Sequence, residues 1–174
     1  MKLQESSFGQ KKDIFFMQKA LWQAKKAYTL EEVPIGAVVV DADGTIIGRG
    51  YNQVEKQHTQ AAHAEFIALS SAGKKKGDWR LNGCWLYVTL EPCAMCINLA
   101  VLSRLDGIVF GSHSPLFGYQ LDNSLTFQLY KKSAISIVVG ILAEESARLL
   151  KDFFRRKRGG GKHRGEERKN KRDW

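Results

Sequence analysis

Two short segments of this 174-residue chain carry residue types that bind metal ions and move protons. The first is His63-Ala64-Glu65 and the second is Pro92-Cys93-Ala94-Met95-Cys96. Cys93 and Cys96 are three residues apart at a predicted helix start, so both sulfurs point to one side. A helix N-terminus also favours the thiolate over the thiol. The spacing therefore predicts a pair of thiolate ligands.

His63 supplies an imidazole at a second predicted helix start. Two thiolates and one imidazole leave the fourth position of a tetrahedral zinc ion open, as in catalytic sites, whereas structural zinc is closed by four protein ligands. An open zinc lowers the pKa of bound water towards neutrality. Glu65 can reach that water without binding the metal and can move protons as a general acid/base. The thiolates cancel the zinc charge, which suits attack on a neutral heteroaromatic ring.

Simpler interpretations exist for each residue. Cys93 and Cys96 alone would suit a redox disulfide, but that interpretation leaves Glu65 without a role. Cys84 lies in an apolar strand and is predicted to be a small buried residue. Surface positions are predicted for His58, His113 and His163, and a structural role is predicted for Glu91. The segment Lys74 to Lys76 is predicted to be a solvated helix end, with a lesser chance of contact with phosphate.

The hydrophobic pattern predicts the elements that must position these residues. Helices are expected over 13–28, 64–72, 93–103 and 143–157, with Asp13 starting the first, Gly73 ending the second and Pro92 in the first turn of the third. Strands are expected over 35–40, 45–51, 84–89, 107–110 and 135–139, and 52–62 is expected to be irregular. This alternation predicts an α/β fold in which about five strands are covered by helices on both faces and strands joined through helices are parallel.

Composition and charge narrow the class of protein. Hydrophobic residues make up 44% and charged residues 26%, as in a soluble domain, and no apolar run or leader indicates a membrane or secretion, so a cytoplasmic protein is expected. Residues 155–174 hold 10 Lys and Arg against 3 acids, a net of +7 out of the chain's +9. We therefore expect one domain over 1–158 and a basic, disordered tail over 159–174, which either contacts a polyanion such as nucleic acid or is merely solvated.

In these motifs the chain resembles the cytidine deaminase-like superfamily, whose signature is H-x-E followed by P-C-x-x-C. Within it, the likeness to the bacterial tRNA-specific adenosine deaminases extends over about 13–158 and includes 33–37, 63–65, 68–69, 86–96, 103–104, 110–111 and 152–155. The resemblance implies a three-layer α/β/α fold with a mixed sheet, one zinc per subunit, and a homodimer with its active sites near the interface. It also implies conversion of the wobble adenosine of a tRNA anticodon loop to inosine. Asn52 and the backbone N–H of Ala64 match groups that contact the base.

One loop departs from the resemblance. After Phe110-Gly111 the tRNA enzymes typically have an Ala-Arg-Asp-type loop followed by a lysine, whereas this chain has Ser114 at the aspartate position and Leu116 at the lysine position. The roles of that loop are therefore not carried over.

The aromatic rings of this loop, His113, Phe117 and Tyr119, either stack on flanking bases or pack against the sheet or a second subunit. Adenosine deamination in tRNA is the expected activity. Deamination of a free base or nucleoside, such as guanine, cytosine or a pterin-like base, is the nearest alternative. A non-catalytic zinc- or RNA-binding module is a further alternative, but it gives Glu65 no role.

Overall fold

The computed structural model describes residues 6–119 and 135–160. The described helices are α1 (Gln10–Thr29), α2 (Val54–Gln57), α3 (Ala64–Lys76), α4 (Ala94–Leu102) and α5 (Ala143–Gly160), and a 3-10 turn lies at Gln60–Ala62. The strands are β1 (Gly36–Val40), β2 (Ile46–Tyr51), β3 (Trp85–Leu90), β4 (Gly107–Ser112) and β5 (Ser136–Val139). Every predicted helix and strand is present, and α2 and the 3-10 turn occupy the segment expected to be irregular.

The five strands form one mixed sheet in the order β2-β1-β3-β4-β5. β1 is antiparallel to both β2 and β3, whereas β3, β4 and β5 are parallel to one another. The predicted hairpin is therefore confirmed, as is the prediction that strands joined through helices run parallel. The C-terminal ends of β2, β3 and β4 lie at the same edge of the sheet, so the segments that follow these strands meet there.

Helices cover both faces of the sheet. Side chains that alternate along the strands divide between two apolar clusters, so that Val39 and Leu86 face α3 and α4 while Val38 and Tyr87 face α1. α5 lies on the α1 side, where the Phe153 and Tyr28 rings are 5.9 Å apart. This arrangement confirms the predicted three-layer α/β/α fold.

Two glycines of β2 allow α3 to lie directly on the sheet. A Cβ atom at Gly50 would lie 2.1 Å from the Ala64 carbonyl oxygen, and one at Gly48 would lie 2.2 Å from that of Ala68. Any side chain at either position would push the helix away. The glycines therefore fix the height of α3, and with it the start of the helix at the end of β2.

The first predicted helix boundary is wrong. α1 begins at Gln10, and Asp13 lies within its first turn, buried beneath the N-terminal segment. The Asp13 carboxylate accepts hydrogen bonds from the Ser6 hydroxyl and, at 2.6 Å, from the Tyr87 hydroxyl. A tertiary polar contact, rather than a helix cap, accounts for this acid.

Two further boundary predictions are wrong. α3 does not end at Gly73 but continues to Lys76 and ends at Gly77, whose φ of 69° is readily adopted only by glycine. Pro92 precedes Cys93, the residue that caps α4, so the proline lies just before the helix and not in its first turn.

Most of the predicted tail lies outside the described residues. Residues 159–160 form the end of α5, and 161–174, which include His163, are not described, so the predicted disorder of the tail stays a prediction. Within residues 6–119 and 135–160, no helix combines the length and the apolar character needed to cross a membrane.

Candidate metal centre and active site

The starts of two helices bring the predicted ligands together at one edge of the sheet. His63 caps α3 and its carbonyl accepts from the Ile67 N–H at 3.1 Å. Cys93 caps α4 and its carbonyl accepts from the Ile97 N–H at 3.0 Å. Cys96 lies in the first turn of α4 and is fully buried. The predicted helix starts are therefore what position the ligands.

The ligand atoms have the spacing of a single metal site. His63 Nδ1 lies 3.8 Å from Cys93 Sγ and 3.5 Å from Cys96 Sγ, and all three atoms lie within 4.8 Å of one another. Tetrahedral zinc with ordinary Zn–N and Zn–S bonds places its ligands about 3.5–3.8 Å apart. His63 Nε2 lies 3.0 Å from Gln60 Oε1, which accepts its proton and leaves Nδ1 available for the metal. The cluster fits one Zn²⁺ ion.

The two thiols have opposite pKa shifts. A hydrogen bond from Cys96, together with the nearby His63, lowers the pKa of Cys93 to about 4. The same contact with Cys93, together with burial, raises the pKa of Cys96. One thiolate therefore forms readily, and the second requires a neighbouring positive charge such as a divalent metal ion.

Glu65 lies in the first turn of α3, almost fully buried beside the ligands. Burial raises the pKa of its carboxyl group, and the neighbouring His63 and a hydrogen bond with Cys96 partly oppose that rise. A buried carboxyl group with a raised pKa, placed beside a metal site, is a typical proton acceptor and donor in catalysis. The environment of Glu65 therefore suits a general acid/base.

Asn52 and Ala64 lie at the same edge. Asn52 directly follows β2, is 3% exposed, and donates from its side-chain Nδ2 to Glu32 Oε2 at 3.2 Å. The next residue, Gln53, donates its N–H to the Ala62 carbonyl at 3.0 Å, which joins this segment to the turn before His63. Contact of Asn52 and Ala64 with a base remains a prediction.

The loop that departs from the resemblance is attached to the residues that directly precede Cys93. The buried carboxylate of Glu91 accepts from the Ser114 N–H at 3.0 Å and lies 3.1 Å from His113 Nδ1. The Tyr119 N–H donates to the Pro92 carbonyl at 2.9 Å. Glu91 thus has the structural role that the sequence predicts for it.

The tip of this loop is exposed, whereas its ends are packed. A Cβ atom at Gly118 would lie 2.4 Å from the Glu91 carboxyl carbon, so the loop lies directly against that side chain. The His113 ring packs edge-on against Phe110. Leu116 and Phe117, by contrast, are each 75% exposed. Of the three rings for which base stacking is an alternative, Phe117 is the most accessible.

Comparison with known proteins identifies the family. Residues 10–112 match the cytidine and deoxycytidylate deaminase zinc-binding region, and that span contains the whole ligand cluster and Glu65. The chain belongs to this family. Membership and the donor set together identify the metal as zinc, with one ion per subunit.

Relatives and solved structures similar to this chain include tRNA adenosine deaminases and a guanine deaminase. The chain is 44% identical, over 82% of its length and 89% of the relative's, to the tRNA-specific adenosine deaminase of Bacillus subtilis. A solved structure from a study of A-to-I editing by tRNA:A34 deaminases matches with a TM-score of 0.71 and 36% identity, over 78% of this chain and 99% of the other. The guanine deaminase of Nitrosomonas europaea matches with a TM-score of 0.72 over 87% and 86%, but at 22% identity it shows the fold alone.

Sequence reasoning did not find Glu32, whose carboxylate holds Asn52 across 20 residues. Neither periodicity nor motif distinguishes this acid from its neighbour Glu31, because the contact forms only when the segment after α1 meets the segment after β2.

His58 is exposed and ends α2, as the sequence predicts for a surface histidine. Cys84 is buried at the opposite end of α3, far along the helix from the metal ligands.

Proposed function

We propose that this protein converts adenosine to inosine in tRNA, at the wobble position of an anticodon loop, by zinc-dependent hydrolysis. The observation that carries the proposal is 44% identity to a tRNA-specific adenosine deaminase over 82% of the chain, combined with a complete His63, Cys93, Cys96 and Glu65 set at one edge of the sheet. Glu65 favours an enzyme over a zinc-binding module, because a structural metal needs no buried acid beside it.

The residues of the site divide the chemistry among them. His63, Cys93 and Cys96 hold the zinc, which when bound lowers the pKa of water and so supplies a nucleophile at neutral pH. Glu65 accepts a proton from the attacking water and delivers it to the leaving amine as the C6–O bond forms and the C6–N bond breaks. Water and adenosine thereby give inosine and ammonia. Asn52 and the Ala64 N–H hold the base in register for this attack.

An RNA loop suits the position of the site. The target base must leave its stack to enter the pocket, and single-stranded loops present unstacked bases at low cost. The exposed Phe117 ring lies in the loop that is attached to Glu91 and Pro92, and it offers a surface on which a flanking base can stack. Residues 155–174 include 10 basic and 3 acidic residues, and this positive charge supports a polyanionic substrate and not a free base.

We further propose that the protein is a cytoplasmic homodimer that associates through the α3–α4 face. A groove of about 650 Å³ lies on this face, with Phe66, Leu69 and Leu99 among its lining residues. The neighbouring Leu102 is 52% exposed. An apolar groove of this kind is typical of a subunit interface, and α3 and α4 carry the metal ligands at their starts. Analytical ultracentrifugation should give twice the chain mass, and a single-chain mass would contradict the dimer.

The decisive test compares substrates. Purified zinc-loaded protein is incubated with an anticodon stem-loop that carries adenosine at the wobble position, and inosine is measured by mass spectrometry. The matched control has the adenosine moved one position within the same loop, and parallel reactions contain free guanine, cytosine or cytidine. We expect deamination of the wobble adenosine alone. Faster turnover of any free base or nucleoside would assign the protein to the small-substrate class.

A further inference from the structure

Glu32 is a buried carboxylate that the proposed chemistry does not use. It follows α1, is 2% exposed, and lies among the largest fully buried side chains of the described residues. Burying a carboxylate is costly unless hydrogen-bond donors surround it. The donors that face Glu32 therefore indicate what the residue does.

Three N–H groups donate to the two oxygens of Glu32. Oε1 accepts from the Lys56 N–H at 2.7 Å, and Oε2 accepts from the Glu55 N–H at 3.2 Å. These two groups belong to the first turn of α2, where backbone N–H groups have no partner within the helix. The third donor is the Asn52 side-chain Nδ2, at 3.2 Å from Oε2. Glu32 therefore joins α2 to the residue proposed to hold the base.

This contact fixes the rotation of the Asn52 amide. An amide carries donors on one side and an acceptor on the other, and the two orientations have nearly the same shape. Because both Glu32 oxygens act as acceptors, the Asn52 nitrogen must face Glu32. The Asn52 backbone is fixed as well, since its N–H donates to the Ile35 carbonyl at 3.0 Å. The carbonyl oxygen and the second N–H of the amide are thereby set in place before any ligand binds.

We propose that Glu32 is a positioning residue, which sets the hydrogen-bond pattern that Asn52 presents to the base and so contributes to base selection. This inference rests on the proposed function, and specifically on contact between Asn52 and the base. A site with fixed donors and acceptors rejects a base that leaves them unpaired, and a rotating amide would lose that discrimination. Glu32 thus acts on the substrate only through Asn52.

The first experiment replaces Glu32 by glutamine. Glu32→Gln exchanges one acceptor for a donor, so the three N–H groups no longer all have an acceptor. With the glutamine oxygen placed towards the Lys56 N–H, which has the shortest of the three bonds, the new NH2 group faces Asn52 and its amide must turn to accept. We expect kcat/KM for the anticodon stem-loop to fall about ten-fold or more, with unchanged zinc content and weaker preference for adenosine over cytidine at the same position. The matched control is Glu31→Gln, because Glu31 is the exposed neighbour whose carboxylate pairs with Arg156 at 3.4 Å, and the activity of this variant should not change.

A double-mutant cycle separates positioning from stability. If Glu32 acts through Asn52, Glu32→Gln should have less than about a two-fold further effect in an Asn52→Ala background. An equal loss in both backgrounds would overturn the proposal, because it would indicate a structural role through α2. Should Glu32→Gln fail to fold in a thermal melt, the same cycle is run with Glu32→Asp, which keeps a carboxylate but shortens its reach. If the wild type does not deaminate the stem-loop, the proposed function fails, and the cycle is run with the base that is turned over.

Discussion

Each end of α3 lies beside cysteine side chains from other segments, two at the N-terminal end and one at the C-terminal end, and the two ends have opposite chemistry. At its N-terminus, His63 Nδ1 faces Cys93 and Cys96. At its C-terminus, Lys76 Nζ lies 3.5 Å from Cys84 Sγ, which is itself 3.4 Å from Asp41 Oδ1. The pKa of Cys93 is lowered to about 4, whereas burial and the Asp41 carboxylate raise that of Cys84 to about 11.

Neighbouring groups, and not the residue type, decide what each thiol does. Cys93 caps a helix and has a thiol and an imidazole beside it, so the negative thiolate is stabilised. Cys84 is surrounded by core residues and faces a carboxylate that disfavours a second negative charge. Lys76 does not reverse this, because it pairs with Asp41 at 3.2 Å. The comparison predicts a metal ligand at one end of α3 and an inert core residue at the other.

The largest expected effect is loss of the metal. His63→Ala, Cys93→Ala and Cys96→Ala should each reduce zinc from about one ion per chain to near zero, as measured by inductively coupled plasma mass spectrometry, and should abolish deamination. Cys84→Ala is the matched control and should retain both zinc and activity. Zinc that survives Cys93→Ala, or is lost with Cys84→Ala, would break the comparison.

The next effect separates proton transfer from metal binding. Glu65→Gln keeps the size of the buried side chain but cannot carry a proton, so kcat should fall on the order of 10²-fold or more while zinc content stays at the wild-type level. Single-turnover inosine formation measures the chemical step directly. Near-normal turnover would show that another group moves the protons.

A smaller effect on stability and zinc binding is expected from the two glycines of β2 that lie beneath α3, Gly50 at the start of the helix and Gly48 further along it. Gly50→Ala places a methyl group against Ala64, next to His63, and Gly48→Ala places one against Ala68 and Ala72. Each should lower the free energy of unfolding by about 1–3 kcal/mol. Only Gly50→Ala should also weaken zinc binding, as measured by competition with a chelator. Equal weakening in both variants would indicate that α3 moves as one rigid body.

The smallest effect concerns the cluster at the C-terminal end. Lys76→Met removes an ion pair between two partly exposed side chains and should cost less than about 1 kcal/mol at pH 7. A hydrogen bond from the Ala42 N–H, together with Lys76, lowers the pKa of Asp41, so its contribution is present above about pH 4 and is lost as the pH falls through the lowered value. Urea unfolding at pH 7 and at pH 3 should show the difference between variant and wild type shrinking in acid. A constant difference would show that Lys76 acts through packing.

The sequence was sufficient to predict those features that depend on local pattern. The helix starts at His63 and Cys93, the hairpin and the three layers all follow from periodicity and from the spacing of ligand residues. Contacts between distant segments were not predictable in this way. The acid at Asp13 predicts a helix start, yet its tertiary contact with Tyr87 decides its place. The glycine at Gly73 predicts a helix end, but the helix continues to Gly77, which supplies the left-handed residue that ends it.

In the loop over 112–119, the residues that attach the loop to the rest of the protein are different from those that face outward. Its ends are held by backbone groups, since the N–H groups of Ser114 and Tyr119 donate to Glu91 and Pro92, and these bonds do not depend on the side chains at its tip. Exchange of residues 115–117 therefore changes what the loop touches without disturbing the turn that carries Cys93. The surface chemistry at these three exposed positions and the geometry of the metal centre can therefore be altered independently, and the tip of this loop is where an engineer should begin.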